Sequence, residues 1–125
     1  MTRILIAEDD KDIRELIVIT LQFNGFDVVS AEDGAAAVSK AKSEGPFDLI
    51  LMDVRMPRMT GYEACRHLKE DAATRDIPVI FLSAKGQESE IQTGMDAGAS
   101  QYILKPFAPD VLVNTINDVL NKAQS

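Results

Sequence analysis

Four segments of this 125-residue chain place charged or hydroxyl side chains directly after apolar runs. Residues 4–7 lead into Glu8-Asp9-Asp10, residues 47–52 into Asp53, residues 79–82 into Ser83, and residues 102–104 into Lys105-Pro106. A carboxylate at the lip of an apolar run is costly to desolvate unless something pairs with it. Were the runs strands of one parallel sheet, all four sets would meet at a single edge. Converging carboxylates repel and raise one another's pKa values. A hard divalent cation removes that conflict, and oxygen-only donors favour Mg2+ over zinc or copper. Mg2+ keeps several waters and is commonly completed by phosphate oxygens, which suit a lysine and a serine hydroxyl. The implied chemistry is carboxylates, Mg2+, a phosphoryl group and a lysine in one place.

Taken singly, each residue has a plainer reading. An Asp at a strand end is most often a turn or cap residue. Glu8-Asp9-Asp10 could simply charge the mouth of a following helix. Ser83 alone is uninformative, and Lys105 alone reads as a solvated charge. Only their shared position after four separate runs points to a site.

The elements that must position them follow from periodicity. Between the apolar runs (a fifth, short one lies at residues 28–29) the spacing turns helical. The first helix is expected from about Asp12 to Asn24, with Ile13, Leu16, Ile17, Thr20 and Leu21 on one face. The last carries Leu112, Val113, Ile116, Val119 and Leu120 as one stripe. Gly25, Gly45 and Gly98 each follow a helical stretch, where a left-handed residue is common. Asp12 with Glu15, and Thr60 with Glu63, have capping-box spacing, and Pro109 suits a first helical turn. Five strands alternating with five helices predict a doubly wound parallel sheet covered on both faces. Its ligand site would lie outside the carboxyl ends of the strands.

Composition narrows the partners. Thirteen basic against twenty acidic residues give a net charge of −7. Nucleic-acid affinity depends on basic residues that release counterions, so no nucleic acid is expected to bind directly. An anionic membrane surface is disfavoured for the same reason. Cys65 is the only cysteine, so no intrachain disulfide forms and a cytoplasmic location is expected. The N-terminal apolar segment is too short for a signal peptide, and no stretch approaches the roughly 18 to 20 apolar residues of a membrane span. Residues 1–125 read as one domain, with no linker, repeat or low-complexity segment.

The acidic pair, Asp53-x-x-Met56-Pro57-x-Met59-x-Gly61, Ser83-Ala84 and Lys105-Pro106 resemble the receiver domain of bacterial two-component response regulators over essentially the whole chain. The resemblance implies a flavodoxin-like fold with strand order 2-1-3-4-5. It implies that Asp53 accepts a phosphoryl group from a phosphohistidine on a sensor histidine kinase or a histidine phosphotransfer protein. Asp9 and Asp53 would ligate Mg2+ with the backbone carbonyl of Arg55, and Glu8 would do so through water. Lys105 would pair with phosphoryl oxygens, Ser83 would move to hydrogen-bond them, and Tyr102 would turn inward behind it. The signal would leave through the face made by the fourth helix, fifth strand and fifth helix, to a downstream target protein. A cis bond before Pro106 is implied too. Glu8 stands where Asp is commoner. Asp10 is a third acid, not the primary ligand by its register with the first helix. Arg55 and Lys85 flank the phosphoryl position, and we expect these cations to hinder the hydrolytic water and lengthen the phosphoryl lifetime.

Further expectations are plain. Cys65 is a small buried hydrophobe, His67 a surface residue, and Met52, Met56, Met59 and Met95 core or loop packing. Val18 and Ile19 are either core or part of a kinase-docking surface. The resulting function is a phosphorylation-dependent switch that assists its own phosphorylation and is not a turnover enzyme. A stand-alone switch ending at the last helix is expected, with a receiver excised from a longer DNA-binding or enzymatic regulator as the alternative. An aspartate-nucleophile phosphatase is disfavoured because Arg55 occupies the general-acid position. A flavin-binding module is disfavoured because Glu8-Asp9-Asp10-Lys11 would repel a phosphate without metal. An unphosphorylated scaffold is disfavoured because every required side chain is present.

Overall fold

The structure is a computed structural model that describes residues 2–84 and 91–123. Its elements alternate: β1 (Arg3–Ala7), α1 (Lys11–Phe23), β2 (Asp27–Ala31), α2 (Gly34–Ser43), β3 (Leu49–Asp53), α3 (Gly61–Glu70), β4 (Val79–Ala84), α4 (Ile91–Asp96), β5 (Gln101–Lys105) and α5 (Pro109–Ala123). All strand pairings are parallel, in the order β2-β1-β3-β4-β5. The alternation of strands and helices therefore does produce the doubly wound sheet.

The period-2 geometry of a strand splits its apolar residues between two layers. Leu5, Ala7, Ile50, Met52 and Phe81 face a core completed by α2 and α3 through Ala37, Ala41, Ala64, Cys65 and Leu68. Ile4, Ile6, Leu49, Leu51, Ile80 and Leu82 face a second core, closed by Ile17 and Leu21 of α1 and by Leu112, Ile116, Val119 and Leu120 of α5. β3 is buried at all five positions. The last helix thus buries the expected stripe, with Val113 packed at its margin.

Three local expectations are corrected. α1 begins at Lys11, because Asp10 rather than Asp12 is its cap: the Asp10 carboxylate accepts from the N–H groups of Asp12 and Ile13 at 2.9 and 3.1 Å. Leu16 is 52% exposed and Val18 packs on the core instead, so the buried stripe of α1 is rotated. Gly45 is not left-handed: the Glu44 N–H still donates to Lys40 O, and a Cβ on Gly45 would sit 2.8 Å from Ala41 O. Gly25 and Gly98 are left-handed, with φ of 87° and 107°. Thr60 caps α3 and accepts from the Glu63 N–H at 3.2 Å. Both Gly45–Pro46 and Lys105–Pro106 are cis.

Candidate functional site

β1 pairs with both β2 and β3, so strand order reverses beside the carboxyl ends of β1 and β3. That crevice is where an open α/β sheet exposes its ligand site. Register sets the depth of each group: Ala7 lies opposite Met52, and Asp53 opposite Leu82, so Glu8 and Asp53 leave the sheet at one level and Ser83 one residue beyond. Gly61 fixes the floor. Its N–H donates to Val54 O at 2.9 Å, and a Cβ there would overlap the carbonyl oxygen of Asp53. Only glycine lets the start of α3 lie against the strand end that carries Asp53.

Glu8, Asp9 and Asp53 each present a carboxylate oxygen within 4.8 Å of the others. Glu8 and Asp53 are buried and Asp9 is exposed. Lys105 reaches across from β5, with Nζ 2.6 Å from Glu8 Oε1 and 3.2 Å from Asp53 Oδ2. One ammonium cannot neutralise three carboxylates. Burial, reinforced by the neighbouring Asp53 carboxylate, pushes the Glu8 carboxyl up to about 7 against the pull of Lys105. Burial and then Glu8 also raise Asp9. Burial pulls Lys105 down, yet the two carboxylates outweigh it and raise its pKa.

The donor set fits a hard cation. Glu8 Oε2 is buried without a hydrogen-bond partner, an acceptor that a cation or its water shell would satisfy. All side-chain donors in the cluster are oxygens, as Mg2+ prefers. Ser83 Oγ is likewise buried without a partner. Ser83 lines a narrow cleft together with Tyr62, Phe81, Gly94 and Tyr102, whose ring is partly exposed.

The expected site residues therefore come together, with two qualifications of place. Arg55 is exposed at the start of the β3–α3 loop, and the role of its carbonyl rests on the family resemblance. Lys85 lies outside the described residues. Asp10 is a helix cap, in keeping with its exclusion as primary ligand. Cys65 is buried and donates to Ala97 O, and His67 is exposed. Met95 is 39% exposed, against the expectation of packing, whereas Met52 and Met56 are buried. Three features escaped the reading of the sequence. These are the close Lys105–Glu8 contact, the Arg14 bonds to the turn after β1, and the ion pair of left-handed Arg58 with Asp33 at 3.4 Å. Each links side chain to partner across the fold or a loop, where periodicity carries no signal.

The sequence signature described as "Response regulator receiver domain" matches residues 4–117. The chain belongs to this receiver domain family. The receiver is 43% identical over 120 residues to the phosphate regulon transcriptional regulatory protein PhoB of Escherichia coli strain K12, covering 96% of this chain and 52% of PhoB. It thus spans about half the length of that relative. Among solved structures it resembles chemotaxis protein CheY4 of Vibrio cholerae, at 34% identity and a TM-score of 0.89, covering 95% of this chain and 98% of that one. It also resembles the receiver domain of sensor histidine kinase PA1611 from Pseudomonas aeruginosa PAO1, at 30% identity and a TM-score of 0.88, covering 96% and 98%. That structure has a magnesium ion coordinated in its active site cleft. Receiver domains bind Mg2+ at this acidic site. Among the described residues no helix is long and apolar enough to cross a membrane.

Proposed function

We propose that this receiver is a phosphorylation-dependent switch that takes a phosphoryl group from a phosphohistidine onto Asp53. The observation that carries the reading is the placement of Asp53. Its carboxylate ends a fully buried central strand, 3.2 Å from Lys105 and within 4.8 Å of Glu8 and Asp9 oxygens. Asp9, Asp53 and the Arg55 carbonyl, with Glu8 through water, would hold Mg2+. Bound there, Mg2+ supplies charge neutralisation for a phosphoryl group entering an acidic pocket. An Asp53 carboxylate oxygen attacks phosphorus, the phosphorus–nitrogen bond breaks, and the imidazole nitrogen leaves with the electron pair. Lys105 meets the charge on the transferring oxygens, which is the larger part of what a protein does in phosphoryl transfer.

Ser83 is the responding group. Its unpartnered hydroxyl can donate to a phosphoryl oxygen, and Tyr102 lines the same cleft on the next strand. The added charge and acceptors bias this element and the α4–β5–α5 face. The receiver assists its own phosphorylation and slow loss of phosphate without being a turnover enzyme. By the family resemblance, Arg55 and Lys85 would lengthen the phosphoryl lifetime. The donor is a histidine kinase or histidine phosphotransfer protein, the output is a target protein, and the setting is the cytoplasm. Leu16 and Ile19, 52% and 64% exposed on α1, offer an apolar stripe for the donor.

A second reading, a receiver within a longer transcription regulator, is favoured by the coverage of only 52% of PhoB. In both readings the site chemistry is the same. Incubation with acetyl phosphate should label the protein in Mg2+ and not in excess EDTA; labelling that ignores EDTA contradicts the metal-assisted mechanism.

A further inference from the structure

The turn between β1 and α1 carries Glu8 and Asp9, two of the three clustered carboxylates, and little regular structure of its own. Its main chain is held at successive points. The Glu8 N–H donates to Ala31 O at 3.2 Å. Asp10 accepts from two helix N–H groups. The third hold is Arg14, half-buried one turn into α1. Its Nη1 donates to Glu8 O at 2.9 Å and lies 3.4 Å from Asp9 O, while its own N–H donates to Asp10 O at 2.9 Å. One residue thus ties the carbonyls of residues 8, 9 and 10 together.

We propose that Arg14 is a positioning residue for the cation site: by gripping the Glu8 and Asp9 carbonyls it keeps their carboxylates facing Asp53 before any cation arrives. The inference rests on the reading of this acidic cluster as the Mg2+ site. Its force lies in a conflict of signs. As a charge, Arg14 opposes a cation nearby, and its removal would tighten Mg2+ binding. As a clasp it does the reverse. Three carboxylates within 4.8 Å repel, and a turn freed from Arg14 relaxes by spreading them. Mg2+ must then bind the fraction of molecules that remain closed, and apparent affinity falls by that fraction. The two contacts of the cationic guanidinium, the shorter at 2.9 Å, make the clasp the larger effect.

The test is titration calorimetry of the whole chain with MgCl2, comparing wild type, Arg14→Ala and Arg14→Lys. Arg14→Ala should bind Mg2+ about 5- to 10-fold more weakly, the consequence of a closed fraction between about a fifth and a tenth. Arg14→Lys keeps the charge and one donor, so it should recover part of the loss. Phosphorylation by acetyl phosphate should show the same split: a higher half-saturating Mg2+ concentration, with the rate restored when Mg2+ saturates. Unchanged or tighter Mg2+ binding in Arg14→Ala overturns the inference, and so does a lower saturated rate at unchanged affinity. Should Arg14→Ala not fold, Arg14→Lys carries the same comparison, with weakened binding expected at preserved charge. Metal-free hydrogen exchange at the Glu8 N–H adds an independent arm: faster exchange in the variant is expected, and unchanged exchange contradicts the clasp. If wild type binds no Mg2+, the reading of the site fails, and exchange alone decides the clasp.

Discussion

Lys105 stands 2.6 Å from Glu8 across 97 residues of sequence, closer than its 3.2 Å to Asp53. The extra methylene of a glutamate over an aspartate lets this carboxylate reach the ammonium. Metal-free, Lys105 is the cation that holds the acidic cluster together. Replacing it by Met leaves two buried carboxylates facing each other. We expect Lys105→Met to lose about 2–3 kcal/mol in urea unfolding without metal, somewhat below the usual loss for a fully buried pair because the lysine is partly exposed. Mg2+ should recover more stability in the variant than in wild type. An equal loss with and without Mg2+ argues against lysine and metal sharing one task.

Glu8 makes metal-free stability depend on pH. Its carboxyl is raised from 4.5 to about 7, first by burial. A raised carboxyl contributes stability fully below its unfolded value and loses it as pH climbs through its folded value, because the native state holds the proton longer. In EDTA, stability should therefore fall between about pH 5 and about pH 8, by on the order of 1–3 kcal/mol. Glu8→Gln should flatten the slope. Mg2+ affinity should rise over the same range, since metal and proton compete for one carboxylate. A flat metal-free profile in wild type contradicts the burial assigned to Glu8.

Gly61 and Gly25 separate crowding from backbone strain. A Cβ at Gly61 would overlap Asp53 O, whereas Gly25 has φ of 87° and nothing within 4 Å of its added Cβ. Gly25→Ala should cost about 1–2 kcal/mol, the penalty for an L-residue in the left-handed region. Gly61→Ala should cost at least about 2–3 kcal/mol and weaken Mg2+ binding too, because the backbone of Asp53 must move. Equal losses, with Mg2+ binding intact in both, refute the role of Gly61 as the floor of the site.

The legible part of this molecule is the part that repeats. Continuous apolar runs located β1, β3 and β4, and the apolar stripe of α5 located its buried face, because burial on both faces of the sheet and on one face of the helix selects residue type. The end of each run then led to Glu8, Asp53, Ser83 and Lys105 through a general rule about parallel sheets. What stayed hidden depends on single contacts. Asp10 and Asp12 are chemically equivalent caps, and only the path of the chain out of β1 decides between them. Leu16 has the composition of a core residue, yet the rotation of α1 leaves it half exposed. Arg14 and Arg58 are ordinary surface letters until their partners, Glu8 O and Asp33, are seen in space.

Ser83 predicts a division between resting stability and response. Its buried hydroxyl has no partner, so Ser83→Ala removes an unsatisfied polar group. Urea unfolding of the unphosphorylated variant should show stability unchanged or higher by up to about 1 kcal/mol. The stabilisation that acetyl phosphate gives wild type should shrink in the variant. A resting protein weakened by more than about 1 kcal/mol would mean the hydroxyl is already bonded.

Asp53 as phosphoacceptor is the claim on which the rest depends. Its most direct test is intact-mass and peptide mass spectrometry after incubation with Mg2+ and acetyl phosphate. One phosphoryl group should appear on wild type, map to the peptide containing Asp53, and be absent from Asp53→Asn. No adduct on folded, Mg2+-bound wild type, or an equal adduct on Asp53→Asn, contradicts the account.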